Sequence, residues 1–203
     1  MALAMTSAAP RASASSARAD LDRATLERCK GKDPMAFRAF VVRYERPVFS
    51  LLSRMMGPGA HVEDLAQETF LRAFRAFPGL DLDAPAKVST WLFTIGVRLA
   101  IDARKKHGSR AVSLDEASDV AHASTPETER ARGELGRAIA RAADALPDDQ
   151  RAAFVLAEFH DLTTAEIASA LGVPEATAKT RLHRAREKMR ASLAESHDPR
   201  GER

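Results

Sequence analysis

The segment from Thr163 to Leu193 constrains the fold more than any other part of the chain. Thr163 and Glu166 have the spacing of a capping box, in which each side chain bonds the backbone amide of the other residue, so a helix is predicted to begin here. Gly172 predicts a sharp end to that helix, because glycine tolerates the left-handed conformation of a tight turn. Pro174 predicts the start of a second helix, since its fixed φ suits the first helical turn.

The second helix, expected at about Pro174 to Glu195, has two unlike sides. Its apolar side recurs at helical spacing and comprises Ala178, Leu182, Ala185, Met189 and Leu193. Its polar, basic side comprises Ala176, Thr177, Lys179, Thr180, Arg181, His183 and Arg184. A short helix, a glycine turn and a basic second helix are typical of a DNA-binding helix-turn-helix, whose second helix enters the major groove. We expect Arg and Thr side chains here to meet base edges, and Lys179 with its flanking arginines to neutralise phosphates. A solvated amphipathic helix is the alternative reading of the basic residues taken alone.

The rest of the chain repeats apolar residues at helical spacing, and no useful length alternates with the period of a strand. The sequence therefore predicts an all-α protein. A helix is expected to begin at Asp33-Pro34, with aspartate as cap, and Pro47 is expected to interrupt it. The other expected helices are Leu21–Lys30, Pro47–Met56, Val62–Phe77, Ser89–Lys106, Glu127–Ala145, Asp148–Glu158 and Thr164–Leu171.

An acidic stretch without apolar periodicity, residues 108–126, separates two groups of helices. Such a composition favours a flexible linker. The predicted organisation is therefore a disordered extension over 1–20, a helical domain over 21–107, the linker, a helix-turn-helix domain over 127–195 and a tail over 196–203.

The composition also narrows the class of protein. Cys29 is the only cysteine, so an internal disulfide and a Cys-x-x-Cys zinc site are excluded, and an intracellular protein is indicated. We expect a packed thiol at Cys29, with a redox sensor as the alternative. No apolar run reaches the roughly 18 residues of a membrane helix. No P-loop, nucleophile elbow or metal-binding cluster is present in the sequence, so we expect no enzyme, cofactor or metal.

Four segments, in order, resemble signatures of the extracytoplasmic-function (ECF) group of bacterial RNA polymerase sigma factors. They are Asp64–Phe74 (DLAQETFLRAF) and Thr90–Asp102 (TWLFTI, then LAID) for region two, and Leu146–Arg151 (LPDDQR) and Lys179–Arg186 (KTRLHRAR) for region four. The resemblance covers about Asp33 to Leu193. Departures occur at Arg98, where the family usually carries Asn, at Val97, where it often carries a basic residue, and at Ala178, where Val is usual.

The resemblance implies an alternative sigma factor that recognises two promoter elements and directs transcription initiation. Its implied partners are core RNA polymerase, through the β′ clamp and the β subunit, promoter DNA and an anti-sigma factor, and its implied location is the cytoplasm. The residues implied for the clamp contact are Asp64, Gln67, Glu68 and Arg72. Those implied for the minus-ten element and the opened strand are Thr90, Trp91, Arg98, Arg104, Lys105 and Lys106, although a core position is the favoured reading of Trp91. The helix-turn-helix residues would bind the minus-thirty-five element.

An ordinary helix-turn-helix regulator is the alternative function. It would require a dimer interface and palindromic half-sites.

Overall fold

The computed structural model describes residues 21–57, 59–84, 86–107, 136 and 138–196, and every regular element in these ranges is helical. The all-α prediction is therefore confirmed for this part of the chain. The helices are α1 Arg23–Lys30, α2 Pro34–Met56, α3 Ala60–Ala76, α4 Val88–His107, α5 (residues 138–144), α6 Asp148–His160, α7 Thr164–Leu171 and α8 Glu175–Ser196, with a 3₁₀ turn at Phe77–Gly79. The predicted extension, the acidic linker and the last seven residues of the tail lie outside the described residues.

Side-chain caps fix where the first two helices begin. Asp22 accepts a hydrogen bond from the amide of Thr25 at 2.8 Å, which starts α1. Asp33 accepts from the amides of Met35 and Ala36 at 2.8 and 3.2 Å, and Pro34 occupies the first helical position. The predicted start of α2 is confirmed, because these bonds satisfy amides that lack a partner within the helix.

The predicted interruption at Pro47 is wrong, because α2 continues through it to Met56. A proline inside a helix lacks an amide donor and costs about 3 kcal/mol. The buried stripe of α2 nevertheless runs unbroken across this position. Its members are Ala36, Phe40, Tyr44, Val48, Leu51, Leu52 and Met55. Burial of several large side chains at roughly 1.5–3 kcal/mol each outweighs the loss at one proline.

Helices α1 to α4, termed module one, enclose an aromatic cluster. The ring of Phe40 lies 5.0 Å from that of Phe77 and 4.8 Å from that of Tyr44. Trp91 meets Phe77 edge to face at 5.3 Å. This placement confirms the reading of Trp91 as a residue of the core, although its side chain is only partly buried.

Helices α5 to α8, termed module two, pack directly on module one. Leu156, Ile167 and Leu182 belong to the same continuous apolar cluster as Phe40 and Leu92. The contact is made by α2 and α4 on one side and by α6 and α7 on the other. Two helical domains were predicted, but no local pattern in the sequence indicated that they share one core.

Arginines and aromatic rings reinforce the contact between the modules. The guanidinium groups of Arg104 (module one) and Arg151 (module two) both donate to the carbonyl of Met55, at 3.1 and 2.8 Å. Arg151 is 1% exposed, and it also donates to Asp144 at 2.5 Å. A buried guanidinium needs such partners, because an uncompensated charge in a protein interior is strongly unfavourable. Burial still lowers the pKa of Arg151 below its ordinary value.

His160 lies at the same contact, with its ring 4.6 Å from that of Phe93 in module one. The guanidinium of Arg54 lies nearby, 4.1 Å from the ring of Phe159. Burial, with a smaller contribution from the charge of Arg54, lowers the pKa of His160 to about 4. The histidine is therefore neutral near pH 7 and acts there as an apolar ring.

Candidate nucleic-acid interface

Helices α7 and α8 form the predicted helix-turn-helix. The capping box is present: Thr163 Oγ1 accepts from the amide of Glu166 at 3.3 Å, and Glu166 accepts from the amide of Thr163 at 2.8 Å. That amide holds the pKa of the Glu166 carboxyl below its ordinary value. Gly172 ends α7 in the left-handed region, with φ of 64°, and donates to the carbonyls of Ala168 and Ser169. The glycine turn is therefore confirmed.

The buried side of α8 is also as predicted. Ala178, Leu182, Ala185 and Met189 are all buried. On the opposite side Ala176, Lys179, Thr180, His183 and Arg184 are exposed, whereas Thr177 and Arg181 are half-buried. Two of the exposed polar groups already have partners: the Thr180 hydroxyl donates to the Ala176 carbonyl at 2.8 Å, and His183 lies 3.3 Å from Glu187.

Lys179 and Arg184 make no ion pair within the described part of the chain. Both side chains project from the amino-terminal half of α8. They are therefore the most accessible cations on the side of the helix that enters the major groove in a helix-turn-helix. Arg181 differs, because its Nε lies 2.9 Å from Asp149 Oδ2.

The residues predicted to contact the minus-ten element lie along α4, and the structure places them in unequal surroundings. Lys105, Lys106 and Arg98 are exposed. Thr90 is 2% exposed behind α7, where its hydroxyl lies 3.5 Å from Glu166 Oε1. Arg104 is paired with module two, its Nε lying 2.5 Å from Asp148 Oδ1.

The residues predicted for the clamp lie on the outward side of α3. Asp64, Gln67 and Arg72 are exposed, and Glu68 is half-buried. Glu68 receives a hydrogen bond from Arg72 Nε at 2.7 Å, one helical turn away. Beside them, α2 and α3 form a groove of about 570 Å³. It is lined by Pro34, Phe37, Arg38, Val41, Gln67, Phe70, Leu71 and Phe74.

Sequence reasoning missed the acidic and basic side chains that join the modules. Asp144 was read only as part of the helix that ends at Ala145, and Asp148, Asp149 and Arg151 only as part of the next helix and of the Leu146–Arg151 signature. One local signal was present for Arg151, since it directly precedes Ala152 and Ala153 in a buried helical run. Its acceptor, the Met55 carbonyl, is 96 residues away, and nothing in the local sequence indicates it.

Comparison with known proteins follows the same division of the chain. Residues 40–110 match the family Sigma-70 region 2, and residues 136–189 match Sigma-70, region 4. The chain is 35% identical over 176 residues to the ECF RNA polymerase sigma-E factor of Salmonella typhimurium, covering 82% of this chain and 91% of that protein. The chain belongs to the ECF sigma factors. The sigma factor is also 34% identical over 178 residues to the ECF RNA polymerase sigma factor SigW of Bacillus subtilis, covering 83% and 94% of the two chains.

Solved structures resemble the sigma factor in fold. CnrH in complex with the cytosolic domain of CnrY matches with a TM-score of 0.65 at 26% identity, over 86% of this chain and 98% of that one. RpoE of Bartonella quintana, in complex with the anti-sigma factor NepR, matches with a TM-score of 0.62 at 21% identity, over 78% and 96%.

Sigma factors direct transcription initiation by RNA polymerase, so the predicted function is confirmed at the level of the family. The sigma factor thus acts as an initiation factor rather than as the polymerase itself. No helix in the described ranges combines the length and the apolar character needed to cross a membrane.

Proposed function

We propose that module one docks on the β′ clamp of core RNA polymerase through the outward side of α3. Asp64, Gln67 and Arg72 are exposed on this side, and Arg72 pairs with the half-buried Glu68, so the side suits a polar contact. The neighbouring groove adds apolar area, and Leu71 at its edge is 49% exposed. An exposed apolar side chain beside a polar rim is typical of a protein-binding surface. Contacts with the β subunit would complete the attachment.

Module two binds the minus-thirty-five element through α8. The observation that carries this assignment is the confirmed helix-turn-helix with Lys179 and Arg184 on its accessible side. Arg184 has the donors for bidentate contact with guanine, and Lys179 supplies a phosphate contact.

Module one binds the minus-ten element through α4. Lys105, Lys106 and Arg98 provide accessible positive charge to follow the backbone of the opened strand. Arg104 adds a further positive charge once its ion pair with Asp148 is broken. Because the strand is held only when open, its binding shifts the duplex toward the open complex.

The two modules act together because each raises the effective concentration of the other at its own promoter element. The factor performs no bond chemistry, and RNA synthesis belongs to the polymerase. Its place of action is the cytoplasm, where polymerase and promoter DNA meet. An anti-sigma protein would restrain it, since RpoE of Bartonella quintana is bound by the anti-sigma factor NepR.

The test is transcription in vitro with bacterial core polymerase and a library of genomic promoter fragments. We expect new transcripts that begin downstream of one shared two-element motif. Lys179→Ala and Arg184→Ala should each lower the yield about tenfold, as expected for loss of about 1–3 kcal/mol at a base or phosphate contact. Arg190→Ala is the matched control, because it removes the same charge from an exposed position further along α8.

Two other results would redirect the assignment. If the protein neither binds core polymerase nor increases initiation, the residue roles proposed for α3 fail, and a stand-alone regulator that binds palindromic half-sites becomes the account to test. If Arg190→Ala lowers the yield as much as Arg184→Ala does, the effect is one of general charge and not of recognition by α8.

A further inference from the structure

Three aspartates lie at the end of α5 and in the first turn of α6, and they are termed the acidic edge: Asp144, Asp148 and Asp149. This edge contacts arginines of both modules. Asp148 and Asp144 lie 2.5 and 3.7 Å from Arg104 of α4, and Asp149 lies 2.9 Å from Arg181 of α8.

The two arginines are the same groups assigned above to DNA, one for each promoter element. A carboxylate and a phosphate both present oxygen acceptors to a guanidinium, and both form charge-assisted hydrogen bonds with it. A guanidinium whose Nε donates to a carboxylate has fewer donors left for a phosphate, and the negative carboxylate beside it repels an approaching phosphate. The acidic edge and promoter DNA therefore compete for Arg104 and for Arg181.

We propose that the acidic edge is an intramolecular substitute for promoter phosphates, which occupies two DNA-binding arginines in the free factor and weakens its binding to DNA. The inference rests on the DNA-binding roles proposed above for α4 and α8. It predicts that the free factor inhibits its own binding to DNA. Promoter DNA and polymerase would relieve this inhibition by binding the charged groups of the aspartate–arginine pairs.

The position of the edge explains how one restraint affects both modules. Asp148 joins module two to Arg104 of module one, which also donates to the Met55 carbonyl. The same closure places α7 over Thr90, and Glu166 of α7 lies 3.9 Å from Lys87 beside it. Release of Arg104 therefore removes a contact that keeps the minus-ten side of α4 covered.

Neutral variants of the edge provide the test. The full chain, without polymerase, is titrated against a fluorescent duplex that carries the two-element motif found by transcription. Asp148→Asn and Asp149→Asn should each tighten binding about twofold to fivefold, the scale of one partly exposed ion pair. Together they should increase affinity more than either alone, because they release different arginines.

Glu158→Gln is the matched control. Glu158 is also an acidic residue of α6 that pairs with an arginine of α8, but its partner at 2.7 Å is Arg186, which has no proposed DNA contact. It changes the charge by the same amount, so equal tightening by Glu158→Gln would show a general charge effect and overturn the proposal. Unchanged or weaker binding by both Asn variants would overturn it as well.

A second measurement separates restraint from misfolding. Helical circular dichroism should be unchanged in Asp148→Asn, because the shared apolar core still holds the modules together; a lowered helical signal would attribute the change in binding to misfolding and overturn the proposal. Asp149→Asn does not touch the contact between the modules, so its effect on DNA binding tests the competition alone. If Arg104→Ala and Arg181→Ala leave polymerase-dependent transcription intact, the DNA roles fail, and that result is distinct from failure of the restraint.

Discussion

Protonation of His160 should destabilise the folded chain as the pH falls below about 6.5. Its pKa is about 4 in the folded state and 6.5 as the ordinary value, so the unfolded chain binds more protons between these limits. Stability therefore rises with pH across this window, is complete above it, and is lost as the pH falls through it. The physical cause is the removal of a charge-bearing ring from water, next to Phe93 and within reach of the charge of Arg54.

The size of the effect follows from the two pKa values. Their separation corresponds to about 3 kcal/mol in total, at roughly 1.36 kcal/mol for each unit of pKa. By proton linkage, the free energy of unfolding should fall by about 2 kcal/mol of this total as the pH is lowered from about 7.5 to about 5.

Urea unfolding followed by circular dichroism over that range would measure it, in the natural chain and in His160→Asn. The variant should lose about 2 kcal/mol less than the natural chain over the range, since Asn does not titrate. Other titrating groups are common to both proteins and cancel in this difference. His183→Asn serves as the control, because His183 lies on the open surface of α8, where its side chain is 70% exposed. Equal pH dependence in the natural chain and in His160→Asn would refute the reasoning.

Three further substitutions or probes test other positions. Gly172→Ala should lower the free energy of unfolding by about 1–2 kcal/mol, because φ of 64° is unfavourable for a residue with a Cβ; urea unfolding checks it, and no loss would mean that the turn relaxes. Gly96→Val should cost about 1–3 kcal/mol in the same assay, since a Cβ at this position of α4 already meets Leu51 Cδ2 at 3.3 Å and Thr69 Oγ1 at 3.7 Å; a neutral result would show that α4 can move away from α2 and α3. The thiol of Cys29 is fully buried, and burial raises its pKa, so it should react with an aromatic disulfide reagent more than about tenfold slower in the folded chain than in urea. Equal rates would restore the redox-sensor reading.

Local signals predicted local structure well. The capping box at Thr163, the glycine turn and the two sides of α8 follow from neighbouring residues, because caps and helical periodicity act over a few positions. The interruption predicted at Pro47 was wrong because proline disfavours a helix through local geometry. The packing of α2 that outweighs this cost involves helices distant in sequence.

The state of the candidate site depends on contacts that no local pattern encodes. The sequence placed Thr90 and Arg104 on a basic helix, but their covering by α7 and by Asp148 requires the modules to meet. Asp144 lay at the end of one predicted helix, and Asp148 and Asp149 suited the start of the next, so their pairing with arginines was visible only in three dimensions.

The aromatic cluster of module one has a spectroscopic consequence. The chain has one tryptophan and one tyrosine, Trp91 and Tyr44, and both lie in module one. Intrinsic fluorescence therefore reports on module one and on its environment, while module two contributes only to the far-ultraviolet signal of its helices. Unfolding curves from the two signals will coincide if the modules melt as one unit. They will separate if module two detaches first, so the chain carries its own reporter for the opening of the contact.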